Sequence, residues 1–250
     1  INDASSTKNP PIKNFSNFKA IKMINMEENR GHARCNALGL RYISKNFDFD
    51  HIILMDGDGE DRPEELKLII KKALETPDIS VVAKRIKRSE GPIFQILYKA
   101  HKFITMIFTG NNVNFGNYSC LTKKDVIHIS SKSSLWSSFS GTLKKYVKKL
   151  NSTDSIRGIR YCGPSQMSIF KLIVHSLSIM AVFKYNLFVR STIFIILINY
   201  FSVFMLINLS FLIFLIVFFN LVIFLVSLRE STKNLINSEK NIESVENILH

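Results

Sequence analysis

From Ser191 to Leu228 the chain runs 38 residues without a charge, between Arg190 and Arg229. A single helix of that length would extend about 57 Å, far beyond the ~30 Å hydrocarbon core of a bilayer. Two spans of roughly 17–19 residues fit instead, turning near Asn208-Leu209-Ser210. An ordinary soluble domain does not hide so long an uncharged stretch. Lys184 and Arg190 precede it and Arg229 and Lys233 follow it, whereas the turn has no cation. By the positive-inside rule both ends then lie in the cytoplasm and the hairpin tip faces outward. Residues 168–189 are apolar with scattered Lys171, His175 and Lys184, a pattern that suits a helix lying in the membrane interface. Residues 230–250 are polar and rich in Glu, Lys and Asn, the composition of a short cytosolic tail. Whatever precedes residue 166 must therefore work against a membrane surface.

That preceding part reads as α/β. Ala20–Ile24 is a short strand candidate, a turn at Asn29-Arg30-Gly31 follows, and Ala33, Ala37, Leu40, Ile43 and Phe47 make one helical stripe. The apolar run 51–55 is a strand, 63–75 a helix with Leu66, Ile69, Ile70, Ala73 and Leu74 inward, and 79–83 a further strand. Alternation of this kind predicts a mostly parallel, doubly wound sheet with ligand loops along one edge. The chain opens on Ile1-Asn2-Asp3-Ala4-Ser5, which reads as the turn after a strand with no strand before it; a missing first β-strand is the expectation. Three cysteines with no C-x-x-C spacing point to a reducing compartment and against a disulfide framework.

At the end of strand 51–55 stands Asp56-Gly57-Asp58-Gly59-Glu60-Asp61-Arg62-Pro63-Glu64. A buried strand ending in two carboxylates separated by one glycine can present them to a hard divalent cation and, through it, to a diphosphate. Acidic pairs are also common solvated turn residues, so the strand context carries the inference. Asp61, Pro63 and Glu64 read as N-cap, first turn and capping box of the next helix. Lys84, Arg85, Lys87 and Arg88 put four cations within five residues after strand 79–83. They form either a solvated basic loop or a phosphate clamp, for which guanidinium forks are suited. Residues 111–118 are Asn-rich with one glycine and read as a loop. A net charge of +13 calls for an anionic partner. Nucleic acid is disfavoured, since no recognised binding motif appears and the hairpin fixes the domain to a bilayer.

Taken in order, these stretches resemble the GT-A glycosyltransferases of family 2, in the dolichol-phosphate mannose synthase-like and bacterial polyprenyl-phosphate glycosyltransferase branch. Asn2-Asp3-Ala4-Ser5 is similar to the family's Asp-Asp-x-Ser turn, Asn29-Arg30-Gly31-His32-Ala33 to its Asn-x-Gly-x-Ala helix start, and Asp56 to Glu64 to its Asp-Ala-Asp-Leu-Gln-x-Pro-Glu segment. Arg157 to Ser165 is similar to its Arg-x-x-Gly-x-Ser stretch before the membrane helices. The resemblance implies that Asp3, Ser5, Asn29, Gly31, Arg160 and Ser165 contact the nucleotide sugar. It implies that Asp56, Asp58 and Glu60 hold Mg²⁺ or Mn²⁺ with the donor diphosphate, and that Arg85 and Arg88 meet the acceptor phosphate. The loop where many relatives carry an acid before an aromatic reads Gly116-Asn117-Tyr118. A phosphate acceptor is already ionised and needs little general-base help.

The expected organisation is thus a GT-A catalytic domain over residues 1–165 without its first strand, an interfacial helical region over 166–190, two transmembrane helices over 191–229 and a tail over 230–250. The expected activity is transfer of a sugar from a nucleotide-diphosphate sugar to a polyprenyl or dolichyl phosphate, by an integral membrane protein with its catalytic domain in the cytoplasm. The alternatives are a related enzyme with a glycan or glycolipid acceptor in cell-envelope polysaccharide synthesis, and a catalytically inactive membrane-anchored binding module.

Overall fold

A computed structural model describes residues 1–5, 17–87, 92–161 and 168–249. The elements run β1 (Ile21–Met26), α1 (His32–Asn46), β2 (His51–Leu54), α2 (Leu66–Glu75), β3 (Val81–Lys87), α3 (Pro92–Thr109), β4 (Phe115–Thr122), α4 (Lys123–Ser130), α5 (Phe139–Tyr146) and β5 (Asn151–Ile156). The C-terminal part adds α6 (Ile169–Ala181), α7 (Lys184–Phe204), α8 (Ser210–Ser227), α9 (Thr232–Ile236) and β6 (Ile242–Leu249). The protein is α/β, but its sheet is mixed rather than doubly wound and parallel. The order is β2-β4-β3-β5, with β4 antiparallel to both β2 and β3, and β3 parallel to β5.

β4 is where the expected loop at 111–118 gives way. Only 111–114 is irregular; from Phe115 the chain is strand. Tyr118 and Cys120 pack with Ile69 and Ala73 of α2, while Phe115 and Leu121 join the larger core on the opposite face. A strand buried on both faces shows no clean alternation, and its Asn and Gly obscure it further. β3 is likewise longer than read: Lys84, Arg85 and Lys87 lie within the strand rather than in a loop behind it. The α2 stripe is narrower than read, with Ile69 and Ala73 buried but Ile70 and Leu74 exposed.

β1 does not enter the main sheet. It pairs antiparallel with β6, Met26 opposite Ile242 and Ile24 opposite Val245. Helix α1 lies between the two sheets, giving Ala37 and Leu40 to the main core and Cys35 and Leu38 to a cluster with Ile24 and Met26. Residues 230–249 are therefore not a free tail. Leu235 of α9 is fully buried in the main core, and β6 completes the small sheet.

Helices α7 and α8 are long and apolar enough to cross a membrane, and most of their side chains are exposed. They meet at 205–209, and α7 already begins at Lys184, inside the region read as interfacial. α6 also departs from a helix that only lies on a surface. Its end, from Ser178 to Ala181, is buried, whereas Ile169, Phe170 and Ile173 are exposed. Lys184 at the start of α7 and Glu230 after α8 form an ion pair at 3.0 Å that ties the two ends of the hairpin together.

Candidate active site

The first half of the site is a turn held by one carboxylate. Asp3 Oδ1 accepts the Arg30 N–H and Oδ2 the Gly31 N–H, each at 2.8 Å, while Asn29 Nδ2 donates to the Asp3 carbonyl at 2.9 Å. Asn2 links this segment to β1 through Asn2 N–H to Ile24 O at 2.8 Å and Met26 N–H to Asn2 O at 2.9 Å. Ser5 N–H donates to Asn2 Oδ1 at 3.1 Å. Gly31 has φ 88°, a conformation that disfavours side chains, and an added Cβ would meet nothing within 4 Å. Among the described residues that side of the turn is open. Asp3, Ser5, Asn29 and Gly31, far apart in sequence, form one cluster.

Beneath it, burial and the Asp3 carboxylate push the Cys35 thiol up to about 12. At pH 8 about one Cys35 in 10⁴ would be thiolate, the form that reacts. Native protein should therefore resist iodoacetamide at Cys35 and take up one more label there on unfolding, as read by mass spectrometry. Rapid alkylation of the native protein at this position would show that the Asp3 turn is not closed over it.

His32, the first residue of α1, joins this turn to the strand-end acids. Its Nε2 lies 3.6 Å from Asp56 Oδ1 and also contacts Asn117, whose Nδ2 donates to the same Asp56 oxygen at 3.3 Å. The Asp56 N–H donates to Asp61 Oδ2 at 3.0 Å. Asp61 is not a helix N-cap, since Arg62 takes that position without a side-chain cap. It is instead 3% exposed, and its Oδ1 lies 3.4 Å from Arg85 Nη2. Burial, then the neighbouring Asp56 charge, raise the Asp61 carboxyl above its ordinary value against the pull of Arg85.

The other acids face a second basic segment. Gly158 N–H donates to the Glu60 carbonyl and Tyr161 N–H to the Asp58 carbonyl, both at 2.8 Å. A Cβ at Gly158 would come within 2.4 Å of the Gly59 carbonyl, so only glycine allows this approach. The docking carries Arg157 onto Glu60, and Arg160 Nη1 to 3.2 Å from Asp58 Oδ2 and 3.6 Å from Glu60 Oε1. Arg160 Nε is buried and has no hydrogen-bond partner among the described residues.

The expected three-carboxylate cation site does not assemble. Asp56 is held by Asn117 and His32, and Glu60 is taken by two guanidiniums. Among the described residues no group of three or more His, Cys, Asp or Glu side chains is placed to hold a metal ion. Charge at Asp58 and Glu60 is met by Arg157 and Arg160 instead. Contacts link Arg85 to Asp61 and through it to Asp56, and Arg160 to Asp58 and Glu60, while Arg88 and Ser165 fall outside the described residues. Sequence reading missed His32, the burial of Asp61 and the pairing of Arg157; only the last had a visible signal, the Arg-Gly-x-Arg run.

Residues 1–139 match the family model described as Glycosyl transferase family 2. A comparison with curated proteins finds no match.

Proposed function

We propose, from the premise that this chain belongs to glycosyl transferase family 2, that it is a membrane-anchored enzyme moving a sugar from a nucleotide-diphosphate sugar onto a polyprenyl or dolichyl phosphate at the cytoplasmic face. The carrying observation is how the helix after the basic strand is fastened to the hairpin. Phe108 of α3 stacks edge-on against Phe194 of α7 and Phe219 of α8, at ring-centre distances of 5.5 and 5.1 Å. Arg190 of α7 donates to Ile107 O at 3.0 Å, at the C-terminus of α3, where a cation suits the helix dipole. Exposed Ile96, Phe103 and Met106 on α3 and Ile169 and Phe170 on α6 extend the apolar surface beside the hairpin. An acceptor whose tail stays in the bilayer could then bring its phosphate to Arg85 on β3.

On this reading the Asp3–Gly31 turn receives the nucleoside. Arg157 and Arg160 offset charge as the diphosphate leaves. Family members commonly use a divalent metal ion. The side chains here do not fit the expected Mg²⁺ or Mn²⁺ set of Asp56, Asp58 and Glu60, because arginines hold two of the three. The described side chains themselves supply alignment of donor and phosphate and the charge of the guanidiniums.

His32 beside Asp56 favours a second reading, a glycan or glycolipid hydroxyl as acceptor, since a hydroxyl needs a base and an ionised phosphate does not. The test uses membranes holding the full protein and labelled UDP-, GDP-, dTDP- and CDP-sugars, offered polyprenyl phosphate or a glycolipid. Label entering the polyprenyl phosphate is the expected result. Label entering only the glycolipid supports the second acceptor, and no transfer to either leaves the inactive binding module.

A further inference from the structure

The segment leaving α8 returns to the donor side of the molecule. Leu235 sinks into the main core, Lys45 binds Glu239 at 2.5 Å, and a single helical turn, Ser238–Asn241, delivers Asn241 to the start of β6. Asn241 is 7% exposed and serves three groups of the turn at 27–30. Its carbonyl accepts the Glu27 N–H at 2.9 Å, its Oδ1 accepts Arg30 Nε at 3.1 Å, and its Nδ2 donates to Glu28 O at 3.4 Å. This is the turn whose next peptide groups, at Arg30 and Gly31, are bound by Asp3.

One strand away the same strap reaches the other half of the cluster. Asn25 Nδ2 donates to Ser244 Oγ at 3.0 Å and to Glu246 Oε1 at 2.6 Å, and Asn25 Oδ1 accepts from Asn2 Nδ2 at 3.1 Å. Residues on both sides of the Asp3 carboxylate are therefore held from the C-terminal segment.

We propose that Asn241 is a positioning residue for the donor site: it sets the turn at 27–31 in the conformation that receives the nucleoside diphosphate. The strap after the hairpin is then a working part of the nucleotide pocket. Because Glu230, at its start, pairs with Lys184 at 3.0 Å, the strap also links the membrane end of the hairpin to donor binding. The proposal rests on the glycosyltransferase reading.

The experiment is calorimetric titration of the full chain in detergent with UDP, GDP, dTDP and CDP, alongside thermal melts, for wild type, Asn241→Ala and Asn241→Asp. Asn241→Ala removes both side-chain bonds to the turn and should weaken the nucleoside diphosphate that wild type binds by about tenfold, the scale of the charge-assisted Arg30 bond, with the long 3.4 Å contact to Glu28 O adding little. Asn241→Asp keeps an acceptor for Arg30 and should stay within about threefold of wild type. Equal affinity in wild type and Asn241→Ala overturns the positioning role and leaves the enzyme reading standing. Equal weakening of both variants, tracking an equal loss of melting temperature, also overturns it, since that is a merely structural effect. Wild type that binds none of the four and transfers no sugar removes the glycosyltransferase reading and this proposal with it.

Discussion

Asp58→Asn is expected to lower sugar transfer by about two decades or more while the protein still folds and inserts in membranes. The substitution is chosen to separate charge from shape. Asp58 Oδ1 accepts the Glu60 N–H at 2.9 Å, and an asparagine oxygen can do the same, so the turn survives. What is lost is the anion facing Arg160 at 3.2 Å. Without it Arg160 is left to Glu60, at 3.6 Å, among the described carboxylates. A charge-assisted hydrogen bond is worth about 1.5–3 kcal/mol, one to two decades in rate. Removing one preorganised donor at a charge-developing centre costs about 10²–10³. Initial rates at saturating donor, with circular dichroism as the folding control, decide it. Transfer within threefold of wild type would show that Asp58 is only a turn residue.

The parts of this protein legible from sequence are those whose signal is local. β2 is a run of Ile and Leu ending in acids, α1 carries its stripe at spacings of three and four, and residues 191–228 have no charge at all. β4 was illegible because its two faces meet different cores, so Tyr118 and Leu121 are both buried and no period of two remains. β6 reads Ile-Glu-Ser-Val-Glu-Asn-Ile-Leu, polar enough for a tail. Its strand character comes from β1, over 200 residues earlier in the chain. The same limit applies at the site. Asp56, Asp58 and Glu60 stand out as a motif, whereas the side chains that contact them, Arg157, Arg160, His32 and Asn117, arrive through tertiary contacts. The pairing of Glu60 with Arg157 across 97 residues turned an expected metal ligand into half of an ion pair.

Arg85 illustrates how that difference changes an experiment. From sequence it belongs to either a solvated basic loop or a phosphate clamp; in the structure its guanidinium faces Asp61, which is 3% exposed and accepts the Asp56 N–H. Arg85→Ala should therefore do two things. It strands a buried carboxylate, at a cost of about 3 kcal/mol, the low end for breaking a buried pair because Arg85 still reaches solvent. In a domain of this size that lowers the melting temperature by roughly 6–12 °C. It also loosens the N–H that orients Asp56. The pH dependence has a definite sign. Burial already raises the Asp61 carboxyl above its ordinary value. Folding then favours the protonated form, and the stability this gives is present below that value and lost as pH rises through the folded-state pKa. Removing Arg85 raises the carboxyl further, so the penalty should be largest at pH 7 and shrink towards pH 4. Arg85→Ala/Asp61→Asn should recover most of the lost stability at pH 7 but not the transfer rate. Arg85→Lys keeps a cation and should melt near wild type, yet raise the acceptor KM by about one decade, because an ammonium cannot fork onto phosphate oxygens. Melts of the four proteins at pH 4 and 7, with acceptor kinetics at saturating donor, separate the two roles. An Arg85→Ala protein that melts with wild type at pH 7 removes the charge-compensation role. An Arg85→Lys enzyme with unchanged acceptor KM moves the acceptor phosphate away from β3.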